Sequence, residues 1–427
     1  MKLAINGGTP VRDKEKYFPK QYTIADKEWT NVQEVLQSEI LSAYRGSYIP
    51  AFMGGPMVKR FERSWAEKFG TEYCMAVNSC TSALQIACGA IGIEPGDEVI
   101  VTPWSMSCSA TAPMMWGGVP VFADIEGDNF CLDIQVVARK ITPRTKAIIA
   151  VDLFGQPCDP ALRTLADKHH LFLIEDAAQA PGARSNGSFT GNIGHIGCFS
   201  FTQGKHMTSG EGGMITTNDP ELARKCQLIR NHAEAVISSS EGLDAGWFNW
   251  NNMVGSNMRM TEIQAGIMLA QLDKLNSFIE LRRFNVAELN KIAEIPAIHC
   301  TEVRPGSTHT YYVQSFYWED VHIHRDKFIE AVKAELTYEE GRLDKGVPIG
   351  CGYIQPLYRM PLFQNAQHWT VQPYKEEYKE TDCVIAEQLW KDKLFLWTLH
   401  GLPLSKTDVN DIVNAFQKVW ENREEIK

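Results

Sequence analysis

The sequence predicts an α/β protein: a mostly parallel, seven-stranded sheet covered by helices, followed by a smaller C-terminal α+β domain. Three observations carry this. From about residue 72 to residue 217, short apolar runs rich in β-branched residues alternate with longer mixed segments. That is the rhythm of βαβ units. A long helical stripe over 259–293 follows, and beyond it strands and helices no longer alternate regularly.

The seven runs are CMAV (74–77), DEVIVT (97–102), VPVFADI (119–125), AIIAVDLF (147–154), LFLIEDA (171–177), IGCFSFT (196–202) and GMITTN (213–218). Between several of them lie helix-like stretches such as TSALQIACGAIG and DPALRTLADKHH. In the 259–293 helix, Thr261 and Gln264 can form a capping box, and Ile263, Ile267, Ala270 and Leu275 keep one stripe. A hinge is placed near this helix. The chain then divides into an N-terminal arm (1–30), a large domain (31–270) and a small domain (271–427). In the last, HTYYVQSFYW (309–318) reads as strand and VNDIVNAFQKVWENREE (409–425) as helix.

The totals narrow the class. The chain has 427 residues, 44% hydrophobic and 22% charged, an ordinary globular composition with room for a sizeable core. A formal charge of −10 argues against nucleic acid as the main partner. No stretch approaches the roughly 18 apolar residues of a membrane span, and the N-terminus does not read as a signal peptide. The 11 cysteines are scattered without a CxxC pair. Reduced thiols in a cytoplasmic protein are expected, with no metal site. His322 and His324 alternate but have no third ligand nearby.

Three stretches can carry chemistry. In NSCTSAL (78–84) a strand gives way to small hydroxyl residues and a helix start. Free N–H groups of the first turn, with the hydroxyls of Thr81 and Ser82, make an anion site; simple N-capping explains the same residues. In LIEDAAQA (173–180) the carboxylates Glu175 and Asp176 end a central strand, either solvated or facing a cation or strong donor. In FSFTQGKHMTSGEGG (199–213) Lys205 lies among small residues, as a solvated hairpin lysine or as a nucleophile towards aldehydes. Together, a phosphate cradle, a carboxylate and a lysine are what pyridoxal 5′-phosphate requires.

These stretches, with GDEVIVTPWS, GVPVFADIE, DLFGQPCD and GSNMRMTEIQAGIMLAQL, give the chain a resemblance to the DegT/StrS family of sugar aminotransferases, within fold type I of the pyridoxal-phosphate enzymes. The resemblance implies roles. Lys205 is similar to the lysine that forms the internal aldimine and shuttles a proton, and Asp176 to the partner of the pyridinium nitrogen. Gln179 resembles a polar residue beside the cofactor ring. Thr81, Ser82 and Ser200 resemble phosphate ligands, and Asn257 a residue reaching the phosphate from the neighbouring subunit of a homodimer. Many relatives stack an aromatic ring on the cofactor from the segment matching TPWSMSCSATA; here the candidates are Met106 and Trp104. Tyr44 and Arg45 in AYRGSYIPAF, and Trp250 in AGWFNWNN, are expected near the acceptor.

The implied reaction is a ping-pong transamination. Glutamate or glutamine donates, pyridoxamine phosphate forms in between, and a keto-sugar or keto-cyclitol accepts, in amino-sugar, aminocyclitol or antibiotic biosynthesis. Two other readings stand beside it. One is a pyridoxamine-dependent sugar dehydratase, in which relatives replace the lysine by histidine. The other is a non-catalytic sensor on the same fold. His206 is left open between tuning the site and filling the turn.

Overall fold

The computed structural model describes all residues except 1, 47–49, 234–252, 321, 339–346, 351, 366–377 and 379–381. Each of the seven apolar runs forms a strand: β1 (Tyr73–Val77), β2 (Glu98–Val101), β3 (Val119–Phe122), β4 (Thr145–Val151), β5 (Phe172–Asp176), β6 (Ile196–Ser200) and β7 (Gly213–Thr217). They make one sheet in the order β1-β7-β6-β5-β4-β2-β3. Only β7 runs against its neighbours. Helices cover both faces, so the inner strands are apolar nearly without interruption; every residue of β2 is buried, and all but one of β4. The fold is that of the type I pyridoxal-phosphate enzymes.

The carboxyl ends of β4, β5 and β6 open at one edge of the sheet, where open α/β sheets bind ligands. Two helices start there. α1 (Cys80–Ala90) follows β1, and α2 (Cys108–Met114) follows β2.

A second, antiparallel sheet is built from β8 (Ile298–Cys300), β9 (Gln314–Trp318), β10 (Ile349–Gly350) and β11 (Leu394–Trp397), in the order β8-β9-β11-β10. Phe316, Phe328, Phe395, Trp397 and Phe416 form its core, which also takes in Leu3 and Phe18 from the start of the chain.

Helix α3 (Glu262–Leu289) joins the two cores. Its capping box is present: the Thr261 hydroxyl accepts from Gln264 N–H, and Gln264 Oε1 accepts from Thr261 N–H at 3.0 Å. Ala265, Met268, Leu272, Leu275 and Ile279 pack towards the large sheet, and Leu289 enters the second core.

One expected element is shorter than its sequence suggests. Only 314–318 of the 309–318 run is strand. Tyr311 takes φ +52°, a left-handed conformation that ends pairing. The 309–313 segment turns back towards the large sheet instead.

Candidate active site

Asp176, the last residue of β5, is buried at the carboxyl edge of the sheet. Its Oδ2 accepts from the Ser109 hydroxyl at 2.6 Å, and its Oδ1 accepts from Ala178 N–H at 3.3 Å. The Cys80 thiol lies 3.8 Å from Oδ1. Ser109 in turn meets the Ser105 hydroxyl at 3.1 Å. Burial pushes the Asp176 carboxyl above its ordinary range, while Ser109 and the charge of Lys205 pull it back. The net direction stays upward; the carboxyl is held by donors, with a cation close by.

The start of α1 lies beside it. Ser79 caps the helix by accepting from Ser82 N–H at 3.0 Å, and Ser82 donates its hydroxyl to Asn78 Oδ1 at 2.6 Å. Thr81, in the first turn, is half-buried. Ser200 ends β6 and pairs with Gly213 of β7. A Cβ on Gly213 would fall 2.6 Å from the Ser79 carbonyl carbon, so glycine is required for β7 to pass this close to the helix start. Ser200 therefore lies across the β6–β7 ladder from the residue that passes the start of α1.

Lys205 stands in the turn after β6, half-buried. Among the described residues no carboxylate forms a salt bridge with it. Its Nζ lies instead 4.2 Å from the centre of the Tyr312 ring, which the 309–313 turn carries across from the second sheet. His206 follows, its ring 6.1 Å from that of Tyr312. It is buried, its Nε2 donates to the Thr310 carbonyl at 2.9 Å, and burial with the nearby Arg282 and Lys205 charges keeps it neutral.

Gln179 is pinned at both ends of its amide. Its Oε1 accepts from Phe154 N–H at 2.7 Å and its Nε2 donates to the Tyr353 hydroxyl at 2.8 Å. Tyr353 meets Trp104 edge to face at 5.7 Å. Trp104 is fully buried and supports the site from behind rather than presenting a ring face, whereas Met106 is 64% exposed.

Tyr44, Arg45 and Asn257 gather a short way off, around Asn231 and Arg259. Asn231 Nδ2 donates to the Arg45 carbonyl at 2.8 Å, and Arg259 Nε donates to Asn257 Oδ1 at 2.8 Å. Arg259 also lies 5.7 Å from the Tyr44 ring centre. Tyr44 is buried, so its ring belongs to packing; Arg45 and Asn257 are exposed. Trp250 lies outside the described residues.

Glu175 points to the opposite face of the sheet from Asp176, as strand alternation requires. Its oxygens accept from Gly191 and Gly194 N–H at 2.9 and 2.6 Å. Burial raises its carboxyl to about 7, and the Asp152 carboxyl nearby is raised as well. Ser109, Tyr312 and Tyr353 escaped the sequence reading. Ser109 sits in the same TPWSMSCSATA segment as Trp104 and Met106, but nothing local marks which serine of that segment faces Asp176.

The open edge of the parallel sheet thus holds a buried carboxylate, a helix N-terminus and a lysine that forms no salt bridge with a carboxylate among the described residues. The chain belongs to the DegT/DnrJ/EryC1/StrS aminotransferase family, whose model matches residues 24–417, and it is an aminotransferase. It is 33% identical to L-glutamine:2-deoxy-scyllo-inosose aminotransferase of Streptomyces kanamyceticus over 99% of this chain and 97% of that protein. It is also 33% identical to GDP-perosamine synthase of Vibrio cholerae over 76% of this chain and 83% of that protein. The solved structure of an aminotransferase from Psychrobacter cryohalolentis superimposes with a TM-score of 0.80 at 31% identity, covering 95% of this chain and 99% of that one. Family membership sets the non-catalytic sensor reading aside. Among the described residues, no helix is long and apolar enough to cross a membrane.

Proposed function

We propose that the protein is a pyridoxal-phosphate-dependent aminotransferase that moves an amino group from glutamine or glutamate to a keto-sugar or keto-cyclitol. The observation that carries this reading is the juxtaposition at the ends of β5 and β6. There a buried Asp176, held by Ser109, lies within electrostatic reach of Lys205 beside the α1 start. Those residues fit the cofactor's three demands: a cation partner, an amine and an anion cradle. Bound there, the cofactor would supply an electron sink for breaking the bond to hydrogen at the substrate's amine-bearing carbon.

The chain's own groups would do the rest. Asp176 would hold a proton on the ring nitrogen, its donors and the Lys205 charge working for the charged form against burial. Lys205 would be the covalent anchor, and once released its Nζ would take and return the proton. The α1 N–H groups with Thr81, Ser82 and Ser200 would receive the phosphate. Of the two candidates for the ring face, Met106 has the exposure to reach it. Asn257 and Arg45, exposed and joined through Asn231 and Arg259, would complete the pocket of a second subunit in a homodimer. Retention of Lys205 supports transamination over dehydration.

The acceptor class rests on relatives named for an inosose and for a GDP-linked sugar. The experiment is to convert the protein to its pyridoxamine form and offer a panel of keto-cyclitols and nucleotide-linked keto-sugars. A return of the starting absorption spectrum with a member of either class is expected. No return with any of them, while pyruvate or 2-oxoglutarate restores it, would refute the acceptor assignment.

A further inference from the structure

Where the two cores meet, three consecutive carbonyls are capped by side chains from three distant parts of the chain. His206 Nε2 donates to Thr310 at 2.9 Å, and His400 Nε2 donates to Tyr311 at 2.7 Å. Arg282 Nη1, from α3, donates to both Tyr311 and Tyr312, at 3.1 and 3.3 Å. A carbonyl only accepts, so both histidines carry their proton on Nε2. The 3.3 Å approach of Arg282 Nη1 to His400 Nε2 is therefore two donors converging on one oxygen.

The other side of the segment is tied to the large sheet. Thr310 N–H donates to Gly155 at 3.0 Å and Tyr312 N–H to Phe154 at 2.8 Å. Phe154 and Tyr311 both adopt left-handed backbone, φ +60° and +52°. Each such non-glycine conformation is strained and persists only where surroundings over-determine it. Gly155 must stay glycine here, because a Cβ would fall 2.8 Å from Thr310 Oγ1 and from Tyr311 N.

Arg282 is the unusual member. It is buried, its Nε has no acceptor, and among the described residues no carboxylate forms a salt bridge with it. Burial lowers its ionisation to about 10. A buried cation without a counter-charge is costly, and an apolar strut would fill the space at less expense. What the guanidinium does that an apolar chain does not is bridge two adjacent carbonyls with one nitrogen.

We propose that Arg282 is a positioning residue: wedged between Gly401 and the carbonyls of Tyr311 and Tyr312, it holds the strained 310–312 turn in the shape that lays the Tyr312 ring over the amine of Lys205. His206 and His400 steady the same turn. The ring face fixes where the free lysine amine waits, on a long side chain that otherwise samples many rotamers. This rests on the proposed role of Lys205.

The test uses the full chain freed of cofactor, mixed with pyridoxal 5′-phosphate and quenched with borohydride at timed intervals. Label on Lys205 is read by peptide mass spectrometry. Arg282→Lys keeps the charge but loses the bridging geometry. Gly401→Ala disturbs Arg282 without replacing it, since its Cβ would lie 3.1 Å from the guanidinium carbon, and it serves if the first variant does not fold. Tyr312→Leu removes the ring and Tyr312→Phe keeps its face. Arg282→Lys, Gly401→Ala and Tyr312→Leu should each slow labelling about fivefold, with Tyr312→Phe restoring it to near the wild-type rate. The Arg282→Lys/Tyr312→Leu double variant should be no slower than Tyr312→Leu alone. Unchanged labelling in Arg282→Lys and Gly401→Ala overturns the inference. So does a double variant whose defect multiplies, or a Tyr312→Phe as slow as Tyr312→Leu. Absence of label on wild-type Lys205 would overturn the proposed function itself, and this inference with it.

Discussion

Asp176 and Lys205 sit at the ends of adjacent strands, yet the chain holds them in opposite ways. Asp176 is fixed by short-range donors: Ser109 on one oxygen, Ala178 N–H and the Cys80 thiol on the other. Lys205 has no such anchor among the described residues; its amine rests on the Tyr312 ring, presented by a turn from the far side of the molecule. The difference matches what each would have to do. A group that keeps a constant charge benefits from rigid, hydrogen-bonded ends. A group that must let go, carry a proton and return benefits from a weak, non-directional resting place.

Perturbing the Asp176 side should have the larger effects. Asp176→Asn keeps the shape and removes the charge, so kcat should fall about 100-fold with the fold intact, checked by steady-state kinetics and circular dichroism. Ser109→Ala removes one charge-assisted hydrogen bond and should weaken cofactor binding about tenfold, measured by tryptophan fluorescence quenching. A Ser109→Ala enzyme that binds as tightly as wild type would mean that Asp176 does not depend on this donor.

A smaller effect is expected behind the sheet. Glu175 is raised to about 7 and Asp152 is raised too, chiefly by burial. A carboxyl raised on folding binds more protons when folded than unfolded, so this pair contributes less stability as pH rises from about 4.5 through about 7. In Asp152→Asn the neutral amide takes the place of the partnerless Oδ2 and removes the like charge. The variant should melt close to wild type at pH 5 and be more stable than wild type by about 1 kcal/mol at pH 8, read by thermal melts at both pH values. A constant difference between the two pH values would break the contrast between an Asp176 carboxyl opposed by donors and a cation and a rear pair raised by burial and like charge.

The two regions also differ in how far the sequence disclosed them. The strand ends were legible because parallel strands buried on both faces are written as continuous β-branched runs, so LFLIEDA and IGCFSFT locate Asp176 and Lys205 directly. The Thr261–Gln264 box was legible because capping is local. Ser109 was not, since its partner lies 67 positions away. The 309–313 turn was read as strand, because aromatic and β-branched residues favour strands and nothing local announces a left-handed Tyr311. That conformation is imposed by Arg282, His400 and Phe154, all distant in sequence. Trp104 and Tyr44 have residue types suited to a ligand face, but packing buries both.

The central claim is that Lys205 carries the amino transfer. The most direct measurement follows 15N from labelled glutamine or glutamate into the amine of the product formed from a keto-cyclitol or keto-sugar, using wild type and Lys205→Ala side by side. Label should enter the product with wild type, and the rate should fall by about 1,000-fold or more with Lys205→Ala. Transfer at the wild-type rate by Lys205→Ala would contradict the account.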